Sequence, residues 1–457
     1  MSNTQHTQID RDHLKQLISR EEARFLEKHP KSGELYERAQ QVMPGGVPMS
    51  WMIKWPGKYP LFVDTAQGAH FTDVDGNEYV DFCLGDTGSM TGHSPKATVD
   101  RITEQMKRGM TAMLPTEDAV AVSEELARRF GLPLWQYTVS ATDANRNVIR
   151  YSRAITGRSK IVVIDYCYHG SVDETFASLD DQGNVMQRLG NIGAPVPARE
   201  TTRVVPFNDL AAMEAALAHG DVAAILMEPA MTNIGIVLPH EGYLAGVEEI
   251  AKKHGTLLII DETHTISAGA GGMTRRDGLS PDFFTIGKAI AGGIPTGAYG
   301  MTHEVADRIK QLVKREYIDT VGIGGTLAGN ALSLAAMRTT LTEVMTEPTF
   351  EKMIELGNRW SDGVDAAIAE FNLPWHCNRL GARGEYLFLD HAPKDGKEAA
   401  DAGDFELEQY AHLRALNDGF LITPFHNMAL MCPDTSIEDV DRHTEAFRNM
   451  CRDLTSK

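Results

Sequence analysis

Short apolar runs alternate with amphipathic stretches of helical periodicity between about residue 97 and residue 300. Four of these runs are five to eight residues long, at 161–165 (IVVID), 222–229 (VAAILMEP), 255–262 (GTLLIIDE) and 283–287 (FFTIG). This alternation predicts a mostly parallel β-sheet covered by helices, which is an α/β fold. In such a sheet, ligands bind at the carboxyl ends of the strands.

The two ends of the chain have a different pattern. Helical periodicity runs from about residue 10 to 43 and ends at 44–46 (Pro-Gly-Gly), which predicts an arm that packs on another surface. The β-rich pieces at 61–63 and 79–82 flank the turn sequence at 75–77 (Asp-Gly-Asn), which predicts a small antiparallel hairpin.

The carboxyl-terminal part is expected to complete a smaller α+β domain. It contains a short strand at 384–390 (GEYLFLD) and a last helix with Ser436 as its N-cap. We therefore predict an amino-terminal arm and part of the small domain at 1–96, a large α/β domain at 97–335, and the rest of the small domain at 336–457.

Charge and cysteine content exclude several classes of protein. Lys and Arg total 44 and Asp and Glu total 63, giving a net charge of −19, which argues against a nucleic acid or an anionic membrane as partner. The scattered cysteines form no C-x-x-C pair, which argues against a disulfide framework and a metal site; they are Cys83, Cys167, Cys377, Cys432 and Cys451. With a polar amino terminus and no membrane-length apolar run, we expect a cytoplasmic protein.

Two ionisable residues follow apolar runs within the predicted sheet. Asp261 comes after LLII, and Lys288 comes after FFTIG, 27 positions later. A lysine that forms an imine and an acid that keeps a ring nitrogen protonated would suit a pyridine cofactor. On these residues alone, a salt bridge at the sheet edge explains the pattern equally well.

A second segment adds a candidate anion site and a candidate stacking residue. Ser140, Ala141 and Thr142 follow a short strand and open a helix, where hydroxyl and free amide groups can bind a phosphate. Tyr168 follows IVVID and offers a flat ring for stacking. The alternatives are an ordinary helix cap and a tyrosine that packs in the core.

In this order, these pieces resemble the class III, fold-type I aminotransferases that depend on pyridoxal phosphate, within the branch of glutamate-1-semialdehyde aminomutases. The resemblance runs from about residue 35 to the carboxyl end. The motifs that carry it are RAQQVMPGGV, DVDGNEYVDF, GHSP, SATDAN, YHG, MEPAMTNIGIVLP, IIDETHT, IGKAIAGGIP and GGTLAGN.

The resemblance implies roles for individual residues. Lys288 matches the lysine that holds pyridoxal 5′-phosphate as a Schiff base and moves the substrate proton, and Asp261 matches the partner of the pyridine nitrogen. Tyr168 matches the residue stacked on the ring, with His169 beside it. Ser140, Ala141 and Thr142 match the loop around the phosphate.

Other matching positions imply a homodimer with shared active sites. Thr326 matches the threonine that reaches the phosphate from the neighbouring subunit, while Glu228 and Asn233 match the wall of the site.

Ala141 and Asp143 stand where relatives have glycine and glutamate. Thr263 and His264 replace a valine and a glutamine or methionine, and we expect His264 to bond the cofactor's 3′-oxygen.

The segment VPMSWMIKW lacks the arginine with which relatives of this branch bind a carboxylate. Trp51 and Met52 stand there instead, which favours an apolar pocket and an amine or hydrophobic amino acid as donor. Lys54 or Arg383 could restore a carboxylate contact. Alternatively, Arg383 forms a structural salt bridge, and the apolar residues pack the arm.

The resemblance favours a ping-pong aminotransferase that passes the amino group to a 2-oxo acid such as pyruvate or 2-oxoglutarate. The alternatives on the same fold are an aminomutase, an amino acid racemase or epimerase, and a lyase. A non-catalytic binding protein is disfavoured because Lys288, Asp261, Tyr168 and Thr326 are all present.

Overall fold

The computed structural model describes residues 9–313 and 321–456. The first eight residues, part of the polar amino terminus considered above, lie outside this range. The described strands, numbered in chain order, are β1 (Val63–Gln67), β2 (His70–Asp73), β3 (Glu78–Asp81), β4 (Leu134–Thr138), β5 (Lys160–Ile164), β6 (Ala177–Leu179), β7 (Val185–Gln187), β8 (Thr202–Val205), β9 (Val222–Met227), β10 (Leu257–Asp261), β11 (Phe283–Gly287), β12 (Gly297–Met301), β13 (His376–Leu380), β14 (Arg383–Leu387), β15 (Phe420–Leu421) and β16 (Met428–Leu430).

The α-helices are numbered in the same way. They are α1 (Arg11–Lys28), α2 (Pro30–Ala39), α3 (Lys96–Arg108), α4 (Glu117–Phe130), α5 (Ala141–Thr156), α6 (Ala198–Thr201), α7 (Leu210–Leu217), α8 (Tyr243–His254), α9 (Gly272–Arg276), α10 (His303–Leu312), α11 (Ala331–Thr339), α12 (Glu347–Glu370), α13 (Gly396–Asp401), α14 (Phe405–Asn417) and α15 (Ile437–Thr455). None of the helices within the described ranges is long and apolar enough to cross a lipid bilayer.

The described chain divides into two compact units. The central unit comprises residues 96–347, apart from those outside the described range, together with 394–398. The terminal unit comprises the described residues up to 95, residues 348–393, and those from 399 onward. The central unit extends beyond the expected boundary at residue 335 because α11 packs on α3 and α4.

The central unit contains the predicted α/β sheet. Its strand order is β4-β12-β11-β10-β9-β5-β8. β12 runs antiparallel to both of its neighbours, and the remaining pairs are parallel. Strands β9, β10 and β11 are buried throughout, as expected for strands covered on both faces. The fold-class prediction is therefore confirmed.

The terminal unit contains two small sheets, with strand orders β1-β2-β3-β15 and β13-β14-β16. Helix α1 packs against α14 through a face that includes Leu14, Leu17 and Phe25. Helix α15 begins at the predicted N-cap, where Ser436 Oγ accepts from the Asp439 amide and Asp439 accepts from the Ser436 amide. This reciprocal pair satisfies two donors at the helix terminus.

Two predictions for the amino-terminal region were wrong in detail. The helix expected over 10–43 is broken at His29, because Pro30 lacks an amide proton and disfavours helical geometry in the residue before it. The hairpin was expected to pair 61–63 with 79–82. In the structure, the turn at 75–77 joins β2 to β3, and β1 pairs with β2 instead. The pattern at His70–Asp73 was too short and too polar to be recognised as a strand.

Candidate active site

Asp261 and Lys288 lie at the ends of neighbouring parallel strands. Asp261 is the last residue of β10 and pairs in register with Thr285 of β11. Lys288 follows β11 directly, with a φ of 52°. The left-handed region costs a non-glycine residue about 1–2 kcal/mol, and such strain is concentrated at functional sites.

Asp261 is a buried carboxylate held by three donors. Asn145 Nδ2 donates to Oδ2 at 2.9 Å, His169 Nδ1 donates to Oδ2 at 3.0 Å, and the Thr263 amide donates to Oδ1 at 3.0 Å. Burial alone would raise the pKa of Asp261, but the hydrogen bond and charge of His169 outweigh burial and lower it to about 2. Asp261 therefore stays ionised at physiological pH.

Asn145 is the residue of this network whose role the sequence did not indicate. Its Nδ2 bonds both Asp261 and the carbonyl of His169, at 3.0 Å for the latter, and its Oδ1 accepts from Thr285 Oγ1 at 2.7 Å. The Thr285 bond fixes which end of the amide faces Asp261. Asn145 stands in the SATDAN motif in the first turns of α5, but only the folded register shows that it faces β10 and β11.

His169, which bonds Asp261, also acts electrostatically on a second buried acid, Glu228. Burial would lower the pKa of the His169 imidazole, but the Cys167 sulfur and the Asp261 carboxylate beside it raise it. Glu228 follows β9 and binds Thr232 Oγ1 at 2.6 Å. Burial raises the pKa of Glu228 to about 7, against the opposing effect of His169.

His264 contacts the candidate catalytic lysine directly. Its Nε2 lies 2.8 Å from Lys288 Nζ. Sequence reasoning assigned His264 to the cofactor's 3′-oxygen, and in the structure its ring is bonded to Lys288. The neighbouring Thr263 is buried, with its hydroxyl in the interior.

The loop before α5 has the geometry of an anion site. Ser140 is the N-cap, and its Oγ accepts from the Asp143 amide at 3.2 Å. The amides of Ala141 and Thr142 precede the first intrahelical hydrogen bond, so they point out of the helix terminus. A Cβ at Gly170 would lie 2.1 Å from Thr142 Oγ1, which shows how closely the segment after β5 approaches this loop.

The remaining candidates of the central unit lie around this site or on the surface. Tyr168 is half-buried after β5, with its ring 6.2 Å from that of Phe176. Asn233 Nδ2 donates to the Tyr166 carbonyl at 2.9 Å and so fixes the approach to Tyr168. Thr326 is exposed in the loop before α11.

The candidate substrate residues belong to the terminal unit. Trp51 and Met52 lie on a short 3-10 turn and are 42% and 40% exposed, and the Trp51 ring meets Phe425 edge-on at 6.3 Å. Phe425, which sequence reasoning missed, has a φ of 63°. Arg383 is buried at the start of β14 and donates to Thr87 Oγ1 at 2.6 Å.

Comparison with known proteins identifies the family. The model of the class III aminotransferases matches residues 52–450. The chain belongs to the class III aminotransferase family. Within this family, it is 32% identical to a glutamate-1-semialdehyde 2,1-aminomutase of Anaeromyxobacter dehalogenans over 91% of this chain and 96% of that protein.

Solved structures of class III aminotransferases and related enzymes show the same fold. The structure of a glutamate-1-semialdehyde aminomutase from Pseudomonas aeruginosa is 51% identical, with a TM-score of 0.96 over 98% of this chain and 100% of that one. A lysine-to-alanine variant of the same enzyme was solved in complex with PMP. An omega-transaminase from Sphaerobacter thermophilus is 26% identical, with a TM-score of 0.85 over 93% and 98% of the two chains.

The class III fold is a fold-type I architecture, and its cofactor is pyridoxal 5′-phosphate. The residues of this site fit that group. Asp261 is ionised, and among the described residues its Oδ1 accepts from the Thr263 amide alone, so it can also accept from a ring nitrogen. His169 Nε2 and Thr263 Oγ1 are buried without a hydrogen-bond partner among the described residues, a state that a bound polar group relieves.

Proposed function

We propose that this chain is an isomerase of the aminomutase type, which moves an amino group between neighbouring carbons of one substrate. The main support is its similarity to glutamate-1-semialdehyde aminomutases over more than 90% of both chains. This was the alternative in the sequence analysis, where an aminotransferase was preferred. These aminomutase relatives support the isomerase better than the aminotransferase.

The proposed chemistry assigns a task to each residue of the site. When bound, pyridoxal phosphate supplies a carbonyl that captures the substrate amine and a ring that withdraws electrons. Lys288 Nζ holds the cofactor between turnovers and moves a proton to and from the substrate carbon. Asp261 keeps a proton on the ring nitrogen, since its own pKa of about 2 leaves the carboxylate charged.

The remaining residues of the site position the cofactor. The N-terminus of α5, with Ser140, Ala141 and Thr142, holds the phosphate through amide and hydroxyl donors. Tyr168 packs on the ring, and Asn233 fixes the backbone just before it. His169 keeps Asp261 ionised through its hydrogen bond and charge, and it also acts electrostatically on Glu228.

A transaminase is the second candidate, and one observation favours it. The segment 47–55 contains no arginine, and its exposed side chains include Met49, Trp51, Met52 and Ile53. Such a surface suits an apolar group of a substrate better than a carboxylate. Under this proposal the donor is an amine or a hydrophobic amino acid, and a 2-oxo acid takes the amino group.

Dependence on an acceptor distinguishes the two candidates. The purified enzyme is incubated with glutamate-1-semialdehyde alone, and separately with 1-phenylethylamine in the presence and absence of pyruvate. An isomerase converts the first substrate without any oxo acid. Turnover that occurs only when pyruvate is present supports the transaminase and refutes the isomerase, and Lys288→Ala is the control for uncatalysed reaction.

We also propose a homodimer with shared active sites. Exposed apolar residues lie on the segment before α4 and in the loop before α11, namely Met110, Met113, Leu114 and Leu327. The two segments are adjacent, because the Leu332 amide donates to the Met110 carbonyl at 3.3 Å. In a dimer that covers this surface, Thr326 of each subunit would reach the cofactor phosphate of the other.

Free, buried cysteines fit the reducing cytoplasm as the proposed location.

A further inference from the structure

The contact between Lys288 and His264 is a hydrogen bond in which one nitrogen donates a proton and the other accepts it. Lys288 Nζ and His264 Nε2 are 2.8 Å apart, within hydrogen-bond distance. An ammonium group has only donors, so a charged lysine must donate to the lone pair of a neutral imidazole. If the imidazole is protonated at Nε2, the lysine must be the neutral amine that accepts. Two cations at this distance would repel each other.

The backbone holds both partners in place. His264 precedes a 3-10 turn at Thr265–Ala268, and the Ser267 amide donates to its carbonyl at 3.2 Å. The start of this turn is anchored on the residue that follows β10, since Thr265 Oγ1 donates to Glu262 Oε2 at 2.5 Å. Lys288 follows β11 at its left-handed φ of 52°. The contact therefore joins two fixed positions that lie just after neighbouring strands.

The acid that ends β10, Asp261, and the acid that follows it, Glu262, have other partners. Asp261 accepts from Asn145, His169 and the Thr263 amide. Glu262 is buried and accepts from Thr265 and from the hydroxyl of Thr274 at 2.7 Å. These bonds direct both carboxyl groups toward other donors, whereas the His264 imidazole lies within hydrogen-bond distance of the Lys288 amine.

We propose that His264 is the base that deprotonates Lys288 for capture of the cofactor. The ε-ammonium passes one proton to His264 Nε2 and becomes a nucleophilic amine. The amine nitrogen then bonds to the aldehyde carbon of pyridoxal phosphate, and the carbonyl oxygen leaves as water. The balance is one lysine ammonium, one aldehyde and one neutral imidazole giving one imine, one water and one imidazolium.

This role requires a histidine at this position, since a glutamine or methionine side chain cannot take up a proton. It rests on Lys288 being the cofactor lysine, as the proposed function holds. It is independent of whether the amino group stays in one molecule or passes to an acceptor.

The test follows cofactor capture rather than turnover. Cofactor-free full-length protein is mixed with pyridoxal phosphate in a stopped-flow instrument, and the absorbance change gives the rate of covalent capture from pH 6 to 10. The variants are His264→Ala and His264→Gln, and the matched control is His219→Gln, which removes an exposed imidazole just after α7. Circular dichroism shows whether each variant is folded.

We expect capture at pH 7 to slow by about 10²-fold or more in both His264 variants, the usual effect of losing a general base. Added imidazole should restore the rate in His264→Ala, in proportion to the concentration of its neutral form. His219→Gln should match the parent. In His264→Gln, the rate of capture should recover only at high pH, where hydroxide ion can remove the proton from the lysine ammonium.

Either of two results would overturn the assignment of His264. One is capture by both variants within threefold of the parent rate at pH 7. The other is slow capture that neither imidazole nor high pH restores, which would indicate a structural role. A parent protein that forms no covalent bond with pyridoxal phosphate would instead refute the proposed function.

Discussion

Replacing Asn145 with alanine should remove one of the three donors that hold the carboxylate of Asp261. The substitution removes one hydrogen bond to a charged group and two to neutral groups, all in a fully buried position. At about 1.5–3 kcal/mol for the charged bond and about 0.5–1.5 for each neutral one, the expected loss is about 2.5–6 kcal/mol. The pKa of Asp261 should rise as well, because one donor to its ionised form is lost.

Hydrogen exchange measures this loss locally. Amides of β10 that exchange through opening of the central sheet should do so at least about 60-fold faster in Asn145→Ala, since 1.4 kcal/mol is a factor of ten. Arg146→Ala, which alters an exposed neighbour on the same helix, is the control and should exchange like the parent. Exchange of β10 within threefold of the parent in Asn145→Ala would refute the reasoning.

Three further predictions test other parts of the account. Because the pKa of Glu228 is raised from 4.5 to about 7, the folded state binds more protons than the unfolded state in that window, and stability falls as pH rises through it; urea titrations of Glu228→Gln should lack this fall. Thr326→Ala should weaken pyridoxal phosphate binding by about 10-fold or more, the value of a bond to a charged group, and mixing it with Lys288→Ala chains should restore activity in mixed dimers; no restoration contradicts shared sites. Under the transaminase candidate, Trp51→Ala should lower kcat/KM for 1-phenylethylamine by about 5- to 30-fold, equivalent to about 1–2 kcal/mol of apolar burial, and an unchanged value would show that Trp51 does not bind this substrate.

The central sheet could be predicted because its strands are short apolar runs, and this pattern is set by burial on both faces. Asp261 and Lys288 were placed together for the same reason, since the carboxyl ends of adjacent parallel strands meet. Strand β12 was missed because Gly297–Met301 carries glycine and no long apolar run. Its antiparallel direction depends on pairing with β11 and β4, which local sequence does not encode.

The side-chain network could not be predicted from spacing. Asn145 is 116 positions from Asp261, and its amide is directed by Thr285 on another strand. The His264 contact with Lys288 also depends on the local path of the chain after β10. Phe425 faces Trp51 only because the carboxyl-terminal segment folds onto the amino-terminal one.

The central claim is that Lys288 carries pyridoxal phosphate covalently. Borohydride reduction of the cofactor-loaded enzyme, followed by peptide mass spectrometry, should place the pyridoxyl label on the peptide that contains Lys288. Lys288→Arg should take up no label there. A label on another lysine of the parent enzyme, or none at all, would contradict the account.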